Sequence, residues 1–133
     1  MRSIKPKSIF LQIADRITDS ILVGVYPVDT RIPSVRDMAE LMEVNPNTVA
    51  RAYERLQMKG LIYTQRGIGY YVSEGAYDII FAERKEQFFS KILPQTFAQM
   101  RLLEIGIEEV QKAFEEWRQS PPPDLPMEIP IEG

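Results

Sequence analysis

The segment 46–59 carries polar side chains whose types suit contact with the edges of DNA bases. If this segment is a helix, its polar members share one face, because their spacing matches helical periodicity; they are Asn47, Thr48, Arg51 and Arg55. Asparagine and arginine form paired hydrogen bonds with adenine and guanine in the major groove. The face therefore predicts base recognition, although a polar face on an isolated helix is more often simply solvated.

A second group of residues is placed to hold the phosphate backbone of a duplex. Ser34 and Arg36 stand at the start of the preceding predicted helix. Hydroxyl groups, arginines and the backbone N–H groups at helix starts are common partners of phosphate oxygens. We therefore expect backbone amides at the starts of both helices, and the Ser34 and Thr48 hydroxyls, to bind phosphates, with Arg36 neutralising another phosphate.

A short hairpin would add one more basic contact. Two β-prone segments, 61–65 and 70–73, flank a glycine-containing turn that holds Arg66 and Gly67. A basic tip with glycine backbone can approach the minor groove closely. Taken alone, an arginine at a hairpin tip more often serves solubility. The order and spacing of the helices and the hairpin together favour DNA binding more than any one feature does.

Three helices must position these side chains. Apolar residues recur at helical spacing, and the predicted helices cover 10–23, 34–43 and 46–59. Gly24 ends the first helix, Ser34 caps the second, and Asn45 with Pro46 begins the third. Three helices followed by a hairpin within residues 1–75 predict a mainly α, winged helix-turn-helix domain.

Residues 76–118 predict a further helical segment that forms a dimer interface. Large apolar side chains recur along it, and two helices cannot bury them alone, so they must pack on the winged domain or on a second copy. Helix-turn-helix proteins usually bind DNA as two-fold dimers. The predicted interface residues are Phe81, Phe88, Phe89, Phe97, Met100, Phe114 and Trp117.

Two residues interrupt this segment. We expect Pro94 to kink the helix rather than end it, Gly106 to stop it, and Glu108 and Glu109 to open a last helix. These interruptions suggest a hinge that sets the angle between paired recognition helices. A small-molecule effector remains unidentified; one that acts here would bind among Phe88, Phe97, Met100 and Phe114, residues that equally suit a sealed dimer core.

The composition excludes several classes of function. The 133 residues contain no cysteine and no histidine, which excludes disulfides, thiolate or histidine metal sites and histidine-dependent catalysis. Neither a glycine-rich phosphate-binding motif nor a close carboxylate pair is evident, so we expect no enzyme and no cofactor. No apolar run approaches the roughly 18 residues that span a bilayer. With no signal peptide either, we expect a cytoplasmic protein without a membrane partner.

The charge is divided unevenly along the chain. The net charge is −3, with +2 in residues 1–75 and −5 in residues 76–133. The total therefore does not favour nucleic-acid binding, and only a local basic face could support it. Residues 119–133 hold five of the ten prolines and predict a disordered tail, with a polyproline ligand for a partner as the alternative.

Three stretches resemble the GntR family of bacterial winged helix-turn-helix regulators. They are Ile-Pro-Ser-Val-Arg-Asp-Met-Ala at 32–39, Val-Asn-Pro-Asn-Thr-Val-Ala-Arg-Ala-Tyr-Glu-Arg-Leu at 44–56, and Lys-Gly-Leu-Ile with Arg-Gly-Ile-Gly within 59–69. The middle stretch is similar to the YtrA-type branch, which has short C-terminal dimerisation helices. The resemblance implies DNA contacts from Arg36, Asn45, Asn47, Thr48, Arg51, Arg66 and Gly67. Val28 departs from the family, which usually has glycine there.

Two functions remain open. The favoured one is a sequence-specific transcription regulator, a repressor, that binds a palindromic operator in double-stranded DNA as a homodimer. The alternative is a winged-helix adaptor that binds proteins and not DNA. An adaptor is expected to replace Asn47, Arg51 and Arg66 with apolar or acidic residues, and this chain does not.

Overall fold

A computed structural model describes residues 7–65 and 67–120 of the chain. The described residues form two units, the first ending at Phe81 and the second beginning at Ala82. The first unit contains three helices followed by an antiparallel hairpin, which confirms the predicted fold class. Within the described part, no helix is long and apolar enough to cross a membrane.

The three helices are α1 (Ile9–Leu22), α2 (Val35–Met42) and α3 (Pro46–Met58). Their ends follow the sequence signals. The Ser34 hydroxyl accepts a hydrogen bond from the Asp37 N–H at 3.0 Å, and the Asn45 side-chain oxygen accepts one from the Asn47 N–H at 2.7 Å. Just past α1, Gly24 has a φ of +89°, a left-handed conformation that glycine adopts without strain.

The hairpin consists of β1 (Ile62–Gln65) and β2 (Gly69–Val72). Its register sets Ile62 opposite Val72, Tyr63 opposite Tyr71, Thr64 opposite Tyr70 and Gln65 opposite Gly69. A third extended segment, which the sequence analysis does not predict as a strand, lies beside β2. Arg31 forms an isolated bridge with Tyr71, and the Ile32 N–H donates to the Tyr70 carbonyl at 3.0 Å. The wing is therefore tied to the chain that leads into α2.

The turn before this third segment accounts for the departure at Val28. The residue in the left-handed region is Asp29, with a φ of +62°. Aspartate tolerates this conformation better than most residues. The Asp29 N–H donates to the Val72 carbonyl at 2.8 Å, and the Asp29 carboxylate accepts a hydrogen bond from the Tyr63 hydroxyl at 3.0 Å. The turn therefore closes onto the hairpin without a glycine at position 28.

One apolar core holds the first unit together. Its fully buried side chains come from the three helices, both strands, the connecting segments and the helix that begins at Ala76; the largest are Ile13, Ile17, Ile32, Met38, Val49, Tyr53, Leu56, Leu61, Ile62, Val72 and Ile80. The Tyr53 hydroxyl donates to the Pro33 carbonyl at 2.5 Å. The Tyr53 ring packs edge-on against Tyr70, with 4.9 Å between ring centres. Tyr53 therefore fixes α3 against both the start of α2 and the wing.

The remaining helices are α4 (Ala76–Gln87), α5 (Leu93–Leu103) and α6 (Ile107–Arg118), with a π-helical turn (Phe88–Ile92) between α4 and α5. Pro94 does not end the helix, as predicted, and the irregularity it causes is the π turn before it. Because proline has no N–H, Pro94 cannot donate to the Ser90 carbonyl, and its ring crowds that carbonyl. A π turn widens the helix locally and relieves this conflict.

The end of α5 differs from the prediction. Gly106 is not the stop: α5 ends at Leu103, and Glu104 takes the left-handed conformation with a φ of +57°. Gly106 instead precedes α6, where its N–H donates to the Glu109 side chain at 3.0 Å. This bond satisfies an amide at the helix start, and it explains why glutamates open α6 as predicted. The predicted tail falls, from residue 121 onward, outside the described residues.

Candidate nucleic-acid interface

The predicted DNA-binding residues lie at the starts of α2 and α3 and along one face of α3. The exposed members are Arg36, Asn45, Asn47, Arg51 and Arg55, and the half-buried members are Ser34 and Thr48. The opposite face of α3 is buried in the core through Val49, Ala52, Tyr53 and Leu56. Because α2 and α3 pack against each other, the core fixes the polar face of α3 outward.

The backbone amides at the starts of α2 and α3 differ in their hydrogen bonds within the protein. Pro46 has no N–H, the Asn47 N–H donates to the Asn45 side chain, and the Thr48 N–H donates to the Asn45 carbonyl at 3.0 Å. At the start of α2, the Ser34 side chain accepts only the Asp37 N–H, so the Val35 and Arg36 N–H groups form no bond to the cap. Phosphate binding by these amides stays a prediction, and the amides of α2 are the more accessible donors.

Both cap residues keep a donor for an outside partner. The Ser34 oxygen accepts the capping bond, so the hydroxyl proton can still be donated. The Asn45 oxygen is used in the same way, and the side-chain NH₂ group remains. Each residue can therefore hold its helix end and donate to a phosphate at the same time.

Arg51 contacts a second helix. Its guanidinium carbon lies 4.1 Å from the centre of the Phe10 ring in α1. Phe10 is itself half-buried against the core. The two side chains line a surface groove of about 360 Å³, together with Glu54, Arg55, Met58 and Lys59. Helical periodicity places Phe10 on the apolar side of the first predicted helix, but it gives no signal for this contact with Arg51.

Arg31, on the extended segment beside β2, is an exposed basic residue that the sequence pattern does not identify as a DNA contact. Gly67 is exposed with a φ of +65°, as a tight tip requires, and Arg66 lies outside the described residues. Directly after the turn, at the first residue of β2, Gly69 has a φ of +147°, and a Cβ there would lie 2.8 Å from Nε of Arg31. Glycine at 69 therefore leaves room for the exposed Arg31 side chain.

Three tyrosines of the first unit have raised pKa values. Burial raises the pKa of Tyr26 to about 12 and moves the pKa of Tyr53 still further above its ordinary value. The hydrogen bond to Asp29 raises the pKa of Tyr63. All three therefore remain neutral at physiological pH.

The residues predicted for a dimer interface lie on α4, the π turn, α5 and α6; Phe81 belongs to the first unit and the others to the second. The predicted interface residues are largely exposed: Phe81, Phe88, Phe89, Phe97, Phe114 and Trp117 have between 42% and 60% of their surface accessible. Met100 is half-buried. Phe114 and Trp117 stack with 6.2 Å between ring centres. Among residues 82–120, all of which are described, none is fully buried. Exposed apolar side chains in such number are typical of interaction surfaces.

Comparison with known proteins finds a matching family profile and relatives that are similar over most of the chain. The profile described as "Bacterial regulatory proteins, gntR family" matches residues 10–72. The chain is similar to the HTH-type transcriptional repressor YtrA of Bacillus subtilis, with 35% identity in an alignment of 109 positions that covers 77% of this chain and 84% of that protein.

Solved structures are similar over the same region. A protein from Bacteroides thetaiotaomicron, described as a GntR-family regulator, shares 47% identity and a TM-score of 0.67 over 84% of this chain and 97% of its own. The DNA-binding domain of AraR in complex with an operator shares 25% identity and a TM-score of 0.52 over 55% of this chain and 89% of its own.

Proposed function

Since this chain belongs to the GntR family of DNA-binding transcriptional regulators and is not an enzyme, we propose that it is a repressor that binds a palindromic operator as a homodimer. The observation that carries this proposal is the exposed polar face of α3, which the buried Tyr53 and Leu56 hold outward. Family membership favours this function over the protein-binding adaptor. The repressor assignment is supported by the similarity to YtrA, which is described as a repressor.

In this proposal, α3 is the recognition helix and lies in the major groove. Asn47 and Arg51 read base edges, because both are exposed and both side chains suit paired hydrogen bonds with a base. Thr48, half-buried beside them, and Arg55, one turn beyond Arg51, contact the flanking backbone or base edges. Residues nearest the start of such a helix enter the groove first, which favours Asn47 as the deepest contact.

Phosphates bind at the two helix starts in this proposal. Arg36 supplies a full charge beside the α2 amides that the cap leaves free, and Ser34 adds its hydroxyl proton. Asn45 donates its NH₂ group at the start of α3. The wing, with Arg66 and Gly67 at its tip, follows the minor groove.

The second copy is proposed to pack on the apolar surface of α4 to α6. Phe88, Phe89 and Phe97 are each at least 42% exposed, and a second copy offers them an identical apolar surface. A two-fold dimer presents two recognition helices to half-sites about one helical turn, or a multiple of it, apart. This geometry is what requires the operator to be palindromic.

The direct test is selection of bound sites from a random pool of double-stranded DNA with the full-length protein. The expected result is an enriched palindrome, with the protein dimeric by light scattering. Asn47→Ala should lose the preference at one position of each half-site. Gln57→Ala, an exposed polar residue later on α3, serves as the matched control and should leave the selected sequence unchanged. Enrichment of a non-palindromic site, or of no site, contradicts the proposal.

Repression requires a separate test in cells. A reporter gene that carries the selected palindrome across its promoter should be expressed less when this protein is present, and Asn47→Ala should relieve that decrease. Higher expression in the presence of the wild-type protein would instead indicate an activator.

A further inference from the structure

Phe10 is the one aromatic side chain of α1, and it meets the predicted recognition surface of α3. The guanidinium carbon of Arg51 lies 4.1 Å from the Phe10 ring centre, a distance at which a cation is attracted by the negative face of the ring. Phe10 is half-buried against the core, so the ring is fixed by packing and not by Arg51. The fixed partner is therefore the ring, and the long, flexible arginine is the side chain that it orders.

We propose that Phe10 is a positioning residue for DNA recognition: it holds the Arg51 guanidinium in place before DNA arrives, and so sets how strongly Arg51 discriminates its base. This inference rests on the proposed function, because it assumes that Arg51 reads the operator. It assigns a role in sequence recognition to α1, a helix whose other inward-facing residues only build the core.

The chemistry of the contact supports ordering without blocking. A cation–π contact uses the face of the guanidinium, whereas the N–H groups that form a bidentate pair with guanine lie in its plane. The arginine can therefore keep its aromatic contact and donate hydrogen bonds simultaneously. A free arginine side chain loses considerable rotamer entropy when it binds, and an arginine already ordered by Phe10 loses less of it on binding DNA.

The groove around the pair contains charges of both signs. Its volume is about 360 Å³, and Glu54, Arg55 and Lys59 line it together with Phe10 and Arg51. Because the Glu54 carboxylate attracts the Arg51 guanidinium while the two cations repel it, these charges do not by themselves favour one position. The aromatic contact is therefore the observation that places the guanidinium over Phe10.

The experiment compares Phe10→Leu, which keeps an apolar side chain, with Phe10→Tyr, which keeps the aromatic ring. Binding is titrated on the operator selected by the full-length protein and on random-sequence DNA. Phe10→Leu is expected to weaken operator binding about two- to five-fold, the value of an exposed cation–π contact, with no change on random DNA or in the salt dependence. Phe10→Tyr should bind like the wild type. In an Arg51→Ala background, Phe10→Leu should have no further effect.

Equal or tighter operator binding by Phe10→Leu overturns the proposal, as does an equal loss on random DNA or an undiminished loss in the Arg51→Ala background. A measurement on the wild type covers the case in which Phe10→Leu folds poorly. The ring-current shift of the Arg51 side-chain protons should persist in the operator complex, and its disappearance on binding overturns the proposal. Failure of the wild type to select any site overturns the proposed function together with this inference, whereas a selected site with an inert Phe10→Leu overturns this inference alone.

Discussion

Replacing Tyr53 by phenylalanine should destabilise the first unit, whereas the same replacement at Tyr26 should not. Both side chains are at most 4% exposed, and each change removes one hydroxyl from the interior. The hydroxyl of Tyr53 donates to the Pro33 carbonyl at 2.5 Å. The hydroxyl of Tyr26 is buried and has no hydrogen-bond partner among the described residues. The same substitution should therefore lower the unfolding free energy at position 53 and leave it unchanged or raise it at position 26.

The magnitudes follow from what each hydroxyl leaves behind. Tyr53→Phe removes a hydrogen bond and leaves a carbonyl without its donor, a loss of about 1–3 kcal/mol in a buried site. Pro33 is half-buried, so water can partly replace the donor, and the expected loss of unfolding free energy is about 1–2 kcal/mol. Tyr26→Phe removes an unsatisfied polar group, and we expect a change between zero and a gain of about 1 kcal/mol.

The assay is urea unfolding followed by circular dichroism, with hydrogen exchange of the Ala52 amide as a local probe of α3. With a slope of about 2 kcal/mol per molar urea, Tyr53→Phe should lower the midpoint by about 0.5–1 M. Tyr77→Phe is the control, because the Tyr77 side chain is 48% exposed and its hydroxyl should contribute nothing measurable. Equal losses at positions 26 and 53 would refute the reasoning, since they would mean that the Tyr26 hydroxyl is satisfied in solution.

Four further outcomes are expected. Arg51→Ala should weaken operator binding by about 1–3 kcal/mol and remove the base preference at one operator position. Arg36→Ala should weaken binding to all DNA sequences alike and lower the slope of log affinity against log salt concentration by about one per subunit. Identical behaviour of the two variants in titrations on operator and random-sequence DNA contradicts this assignment. A chain ended after Phe81 should be folded, monomeric and weak in DNA binding, and a dimer in light scattering would place the interface elsewhere. In the unfolded chain the Tyr26 hydroxyl loses its proton above pH 10, whereas in the folded protein it keeps its proton to about pH 12. The contribution of Tyr26 to the unfolding free energy is therefore fully present below pH 10 and falls by about 2–3 kcal/mol between pH 10 and pH 12. Tyr26→Phe should remove this part of the decline in urea midpoints. Pro94→Ala should raise the thermal stability of the second unit, because alanine restores the missing N–H donor; if it also leaves dimerisation and operator affinity unchanged, the hinge hypothesis is wrong.

The local signals in the sequence predict the helices of the first unit well, because the starts of α2 and α3 depend on side chains within three residues of them. Ser34 and Asn45 cap α2 and α3 as predicted. Local sequence signals do not predict the third extended segment, because its partner is distant in sequence: Arg31 bridges Tyr71, forty residues later. No periodicity marks so short a segment, and only the register of the hairpin determines that it pairs.

The misplaced stop at Gly106 has a different cause. Glycine is the usual residue in the left-handed position after a helix, but α5 places Glu104 there, with a φ of +57°. Gly106 is then needed at the start of α6, where the Glu109 side chain accepts its N–H. A glycine between two helices can serve either one, and the choice depends on which neighbour offers the better cap. The glutamate three residues later was the signal that could have decided it.

Helical periodicity identifies which face of α3 is polar, but it does not distinguish the environments of the residues on that face. Asn47 belongs to the helix start, where its N–H is committed to the Asn45 cap and its side chain is exposed. Arg51 lies one turn later and contacts the Phe10 ring of another helix. A base contact from Arg51 therefore depends on α1 as well as α3, whereas a contact from Asn47 depends on α3 and its cap alone. Substitutions in α1 should consequently change recognition at the Arg51 position and leave the Asn47 position intact, a separation that the selected operator sequences of the Phe10 variants can reveal.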